Sequence, residues 1–454
     1  MYPRPENGSK RGMHWSASNY PAHSGYKWHL DRMVECKIGW VKFLSDGNAR
    51  PAGGDSGLAF GIDVLARGMI PVVRFYCPAD HRWTDANSYA VDAYVRAGIK
   101  YIETINEPDL GYEWSSGKLP SDWAERAFTN WIVHARNIAE RGGIPLTPSL
   151  AAGFLGARGP EAGQLTTNPF RLLKAAGLDN FVCSIHNYPL NHPINYPYDE
   201  VNQQGKALTR EEYDRAGGDY AWDRPAHIPV EEWIDRINEQ RMRDKNPGDS
   251  VFDDDSCFLA VDVFRAMLDE AGYEHIPVLT TEGGPCLTDR QDGRYPRVTP
   301  QVMQGMIEEE LSYMADRDWY LGYCWWLWGN PSVGGTGGWG TNQWFWPGGP
   351  FSDSDHFIPA VQYLRNKPLE EGVIPPPPEP TPSSNNDAIS YGVTVNPAQV
   401  EPGRDYFRAV LIHHYTPQEN GAWPGMHHLF LDVLDRDGTR VNGAQLLVHN
   451  HGSN

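Results

Sequence analysis

The sequence predicts an α/β chain whose eight parallel strands close into a (β/α)8 barrel, a TIM barrel, followed by a small β module. Three observations carry this. Short apolar strand candidates alternate with helical stretches along most of the 454 residues, the pattern of a parallel sheet. No Gly-x-Gly-x-x-Gly follows an early strand, which disfavours the rival doubly wound sheet. Near residue 371 the composition turns to Pro, Ser and Asn, which ends the repeating pattern.

The strand candidates are 12–16, 39–44, 70–76, 101–105, 144–150, 181–185, 277–281 and 321–327. Helical stretches between and after them include 87–97, 122–140, 257–271 and 300–316, with 356–367 closing the barrel. Two connections are too long for simple crossovers. Residues 191–250 are rich in Asn, Pro, Tyr and charge and hold one helix at about 230–243. Residues 329–355 are loaded with Gly and Trp. Both follow strands, so both belong at the C-terminal face, where barrels keep their chemistry. The organisation read from this is a barrel over 1–370, a Pro-rich linker over 371–387 and a β-rich accessory module over 388–454. Four alternating segments and an Asp437-Gly438 turn make the last of these too short for a stable sandwich.

A formal net charge of -19 repels nucleic acid and anionic membrane surfaces, so a neutral partner fits better. The 17 tryptophans include candidates for stacking on sugar rings, whose CH groups are drawn to the negative aromatic face, though for any one Trp core filling is the default. Cys36, Cys77, Cys183, Cys257, Cys286 and Cys324 show no metal spacing, and only a Cys257–Cys286 bridge is conceivable. The N-terminus lacks a signal-peptide core and no apolar run suffices for a membrane span. A cytoplasmic chain and a secreted chain shorn of its signal both fit, the second being preferred.

Two strands end in a glutamate. Thr104-Ile105-Asn106-Glu107-Pro108 closes the fourth candidate, and Val278-Leu279-Thr280-Thr281-Glu282-Gly283-Gly284 closes the seventh. Pro and Gly forbid regular continuation, so each carboxylate stands at the barrel mouth. A lone Glu before a turn is ordinarily a solvated loop residue, but two in matching places can face one another. Such a pair can cleave a glycosidic bond by double displacement, one protonating the leaving oxygen and the other attacking carbon.

Ile105-Asn106-Glu107-Pro108 resembles the acid/base signature of the large clan of retaining (β/α)8 glycoside hydrolases, clan A, that includes the cellulase and mannanase family. Thr281-Glu282-Gly283-Gly284 resembles its nucleophile strand. The resemblance covers about residues 10–367. It implies Glu107 as acid/base and Glu282 as nucleophile, with Asn106 bonding the substrate 2-hydroxyl and no cofactor. It also implies that Tyr188 holds the nucleophile and that His186 meets the substrate or the acid/base. Arg74 is a departure in position as the cation beside the nucleophile, with Lys42 as competitor. In Trp325-Trp326-Leu327-Trp328, alternation sets Trp326 and Trp328 on one face; either could lie under the sugar, Trp326 being preferred. Trp339, Trp344 and Trp346 offer further platforms or a hydrophobic cover for the barrel end.

Asp253-Asp254-Asp255 lacks the ligand spacing of a calcium loop and reads as a solvated turn. The pairs His413-His414 and His427-His428 each offer one ligand per strand face, so no metal is assigned. The expected function is a retaining β-glycosidase, endo-acting on a neutral β-glucan or mannan, with an oligo- or polysaccharide as partner. Alternatives are an exo-glycosidase or transglycosylase of the same clan, an inactive carbohydrate-binding barrel, or a metal-dependent barrel hydrolase.

Overall fold

The computed structural model describes residues 2–369, apart from 20, 23–24, 48–56, 152–164, 166, 219, 221–222, 255 and 330–341. The linker 371–387, the module 388–454 with its histidine pairs, Trp339 and Asp255 lie outside the described residues.

Eight strands follow in order: β1 (Arg11–His14), β2 (Trp40–Ser45), β3 (Ile70–Phe75), β4 (Tyr101–Glu103), β5 (Ile144–Pro145), β6 (Cys183–Asn187), β7 (Val278–Gly283) and β8 (Tyr320–Trp325). All pair in parallel, in the order β5-β4-β3-β2-β1-β8-β7-β6. A parallel bridge between Leu146 and Val182, with Val182 N donating to Pro145 O at 3.0 Å, joins the two ends into a barrel. The predicted fold class stands. β5 is shorter than the sequence suggests because Pro145 and Pro148 have no N–H for the ladder. The chain runs on alongside its neighbours through the bridges Leu146–Val182 and Asn106–Ser149.

The helices are α1 (Tyr26–Glu35), α2 (Gly57–Leu65), α3 (Asp85–Arg96), α4 (Trp123–Glu140), α5 (Phe170–Ala175), α6 (Glu200–Gln204), α7 (Arg210–Arg215), α8 (Val230–Arg243), α9 (Ala260–Glu270), α10 (Pro300–Ala315) and α11 (Pro359–Asn366). Their starts follow local chemistry. Thr84 caps α3 in a capping box with Asn87, and Thr299 caps α10 with Pro300 in its first turn. α4 buries Trp123, Ala127, Trp131 and Ala135 at i, i+4 spacing, and Trp131 Nε1 donates to Leu146 O, fastening the helix to the barrel. No helix among the described residues is long and apolar enough to cross a membrane. All six cysteines are free, so the Cys257–Cys286 bridge is not formed.

The barrel interior is layered. Trp40, Val72, Tyr101, Ile144, Val182 and Leu279 fill an apolar floor. One residue pair further along the strands the lining becomes polar, with Lys42, Arg74, Glu103, Ser149, Ser184 and Thr281 all buried. The insertion at 191–250 carries α6, α7 and α8 around its own apolar cluster of Leu208, Tyr213, Tyr220, Ile228, Trp233, Ile234 and Ile237. Arg294 Nη1 donates to Asn202 Oδ1 and Tyr295 to Asp199, tying it to the loop after β7. Just past the insertion, Asp253 accepts from Ser250 and Asp254 from the Tyr196 hydroxyl, a turn's work.

Candidate active site

Glu282 owes its aim to an irregularity of β7. The neighbouring strands pair Ile185 with Thr280 and His186 with Glu282, while Tyr323 pairs with Thr280 and Trp325 with Gly283. One extra residue on β7 therefore breaks the alternation, so that Thr281 and Glu282 both face inward. Thr281 Oγ1 meets Ser184 Oγ at 2.8 Å in the polar layer, and Glu282 stands directly above it. The two glycines that follow are required by space. A Cβ on Gly283 would lie 2.1 Å from Asn187 O, and Gly284 has φ of +95° with a Cβ position 2.4 Å from Trp325.

Glu107 leaves β4 differently. Its φ is +30°, uncommon for a residue with a side chain, and Leu110 N donates to its carbonyl at 2.9 Å to close a turn. The turn lifts the carboxylate over the barrel mouth towards His186, whose Nδ1 lies 2.8 Å from Glu107 Oε1. On the other side, His186 Nε2 lies 3.5 Å from Glu282 Oε1. One oxygen from each glutamate and a His186 nitrogen all lie within 4.8 Å of one another.

Cationic and donor groups converge on one oxygen of Glu282. Lys42 Nζ is 3.0 Å from Oε1, Arg74 Nη1 3.4 Å and His14 Nε2 3.5 Å. Oε2 receives the Tyr188 hydroxyl at 3.4 Å. Burial pushes the Glu282 pKa up, but the charges of His186 and Lys42 and the contact with His14 outweigh it, holding the carboxylate well below its usual range. Burial also drives the His14 pKa down to about 4, against the pull of Glu282, which leaves that imidazole neutral near pH 7. Beneath Glu282, Lys42 makes a second contact with Glu103 Oε2 at 2.9 Å, both side chains fully buried.

Asn106 is held at both ends. Arg74 Nη1 donates to its Oδ1 at 2.8 Å, and its Nδ2 donates to Glu113 Oε1 at 2.7 Å. Glu113 sits on a one-turn helix at Gly111–Glu113. Burial and the charges of Glu107 and Glu282 raise its pKa, partly offset by Asn106 and Arg74.

Of the sequence-predicted residues, Glu107, Glu282, Asn106, Arg74, His186 and Tyr188 come together. Trp326 joins them, its ring 4.4 Å from that of His14. Trp328 does not: it is fully buried, donates Nε1 to His29 Nδ1 and packs against Phe357. Strand alternation failed there because the chain past Trp325 has left the regular strand. Trp344 stacks on Trp325 at 5.3 Å and is buried, which makes it hydrophobic cover. Sequence reasoning missed His14 and Glu113 and underweighted Lys42. For His14 and Lys42 the available signal was a polar residue at an inward position of an apolar strand.

A cleft of about 760 Å³ opens beside the cluster, lined by Tyr188, Gly284, Cys286, Asp289, Arg290 and Gln291. A groove of about 610 Å³ under the 191–250 insertion shares no lining residue with the site. Tyr76 and Tyr112 follow β3 and β4 at the mouth and are exposed.

No protein-family model matches this sequence, and comparison with curated proteins finds no match. Among solved structures, the chain is similar to a GH128 (subgroup II) endo-β-1,3-glucanase from Sorangium cellulosum, with 15% identity and a TM-score of 0.42 over 79% of this chain and 99% of that one. A GH128 (subgroup I) endo-β-1,3-glucanase from Amycolatopsis mediterranei, in complex with laminaritriose and laminaribiose, gives 13% identity and a TM-score of 0.40 over 79% and 98%. A family 39 glycoside hydrolase from Bacteroides cellulosilyticus gives 13% identity and 0.40 over 79% and 63%.

Proposed function

We propose that the protein is a retaining β-glycosidase, with Glu282 as nucleophile and Glu107 as acid/base. The observation that carries this is the separation of the two glutamates, whose nearest oxygens lie within 4.8 Å. Retaining enzymes set their carboxyl groups about 5–5.5 Å apart, whereas inverting ones leave about 6.5–9.5 Å for a water. Electrostatics supports this division of roles. Glu282 is kept ionised, as a nucleophile must be, while Glu107 stands beside His186 with part of its side chain open to the mouth.

Oε1 of Glu282 is crowded by Lys42, Arg74, His14 and His186, so Oε2 is the atom that attacks the anomeric carbon. As that bond forms, the bond to the leaving oxygen breaks and Glu107 gives that oxygen its proton. Glu107 then takes a proton from water, whose oxygen attacks the same carbon and returns the electron pair to Glu282. Asn106 bonds the 2-hydroxyl and Trp326 lies beneath the ring. The open cleft by Tyr188 supports endo-action on a neutral β-linked glucan or mannan, and residues 388–454 an accessory role on the same polymer.

The spacing of Glu107, His186 and Glu282 would also suit a divalent cation. Lys42 and Arg74 beside the same Glu282 oxygen oppose it, because they already bring positive charge to that point. The test is hydrolysis of a panel of aryl β-glycosides, β-1,3- and β-1,4-glucans and mannan, with and without chelator. Wild type is expected to turn over part of the panel regardless of chelator, and Glu282→Gln to lose at least ~10³-fold. Equal release by both proteins would overturn the proposal in favour of a non-catalytic binding barrel. Loss on chelation would favour the metal reading.

A further inference from the structure

Double displacement needs two carboxylates, yet Glu113 also reaches the cluster, through Asn106. We infer that Glu113 is a positioning residue that fixes the orientation of the Asn106 amide, and through it the recognition of the substrate 2-hydroxyl. The inference rests on the glycosidase reading.

An Asn amide is nearly symmetric in shape, so only its partners decide which end is oxygen and which is nitrogen. Arg74 can only donate, and it faces Oδ1 at 2.8 Å; ionised Glu113 can only accept, and it faces Nδ2 at 2.7 Å. A flipped amide would set Asn106 oxygen against carboxylate and its N–H groups against guanidinium. The Nδ2 to Glu107 Oε2 distance of 3.4 Å is too long for a strong bond. The second N–H is thus available to a hydroxyl oxygen seated near Glu107. Glu113 is itself well anchored. Its one-turn helix follows the turn that carries Glu107, and Trp114 Nε1 donates to Pro108 O at 2.8 Å, so acid/base and positioning carboxylate move together.

The probes are dinitrophenyl β-glucoside and β-mannoside and the 2-deoxy glycoside common to both. Glu113→Ala is expected to lower kcat about 10- to 100-fold on the sugar that wild type prefers, the range for a hydrogen bond to a charged group, with KM little changed. The preference of the enzyme for that sugar over the 2-deoxy glycoside should fall by the same factor. Combined with Asn106→Ala, it should slow the enzyme no further than Asn106→Ala alone. If Glu113→Ala melts early, Glu113→Gln enters the same cycle, with a smaller loss because its amide oxygen can still accept. A variant as fast as wild type, an unchanged 2-deoxy preference, or single losses that multiply in the double variant would overturn the inference. A wild type inactive on every glycoside would instead overturn the proposed function itself, and this inference with it.

Discussion

One ammonium group holds the middle of the site. Lys42 lies between Glu103 and Glu282, with no solvent to share the charge. Such a buried arrangement stabilises a fold poorly, because desolvation offsets the Coulomb gain. Its effect is electrostatic: together with His186 it keeps Glu282 ionised, the state the proposed nucleophile requires. The depressed pKa of Glu282 means that its carboxylate, and the activity depending on it, persists as pH falls below the ordinary glutamate range. The acid limb of kcat/KM is accordingly expected below the ordinary glutamate range. In Lys42→Met, the two carboxylates lose their shared cation and the limb should rise by about one unit or more. The melting temperature should fall as well, since removing one partner strands buried charge. An unmoved limb would assign that task to His186 and His14 instead.

At the scale of elements, α10 carries a feature unrelated to catalysis. Glu310 points inward from it and accepts from Trp325 Nε1 at 2.8 Å, while its Oε1 meets no hydrogen-bond donor among the described residues. Burial pushes its pKa up to about 8, against the pull of Trp325. The folded chain then holds a proton that the unfolded chain releases near pH 4.5. The stability from the neutral carboxyl is fully present below that pH and declines as pH rises towards 8. Glu310→Gln, neutral at every pH, should melt several degrees above wild type at pH 8 and show little gain at pH 4. A constant gap across that range would contradict the assignment. The elements themselves were legible in the sequence because short apolar runs alternate with helix-length stretches, and each of the eight strands overlaps its candidate segment, β5 and β4 being shorter than their candidates. The extra residue on β7 was not, because Thr281 and Glu282 gain their shared direction only from register with β6 and β8. Glu113 was invisible for a related reason: its bond to Asn106 is made by a turn, and turns leave no period. Trp328 misled because strict alternation was carried past the end of β8.

For the whole molecule, the barrel closes at its base as well as around its wall. Arg11 on β1 donates to the carbonyls of Cys36, Leu364 and Lys367, and also to that of Pro368, binding α11 beneath the strands. Above the polar layer stand Glu107 and Glu282, one oxygen of each within 4.8 Å of the other, and the proposed double displacement rests on that spacing. Net charge favoured a neutral partner and the tryptophans offered candidates for stacking on sugar, and nothing in the sequence separated glucan from mannan. The stereochemical course is open to one direct measurement: proton NMR of the anomeric signals in the first minutes of hydrolysis of whichever β-linked substrate the panel reveals. Double displacement at Glu282 requires the β-anomer to appear first and the α-anomer only later, by mutarotation. First appearance of the α-anomer would mean single displacement, and would contradict the assignment of Glu282 as nucleophile.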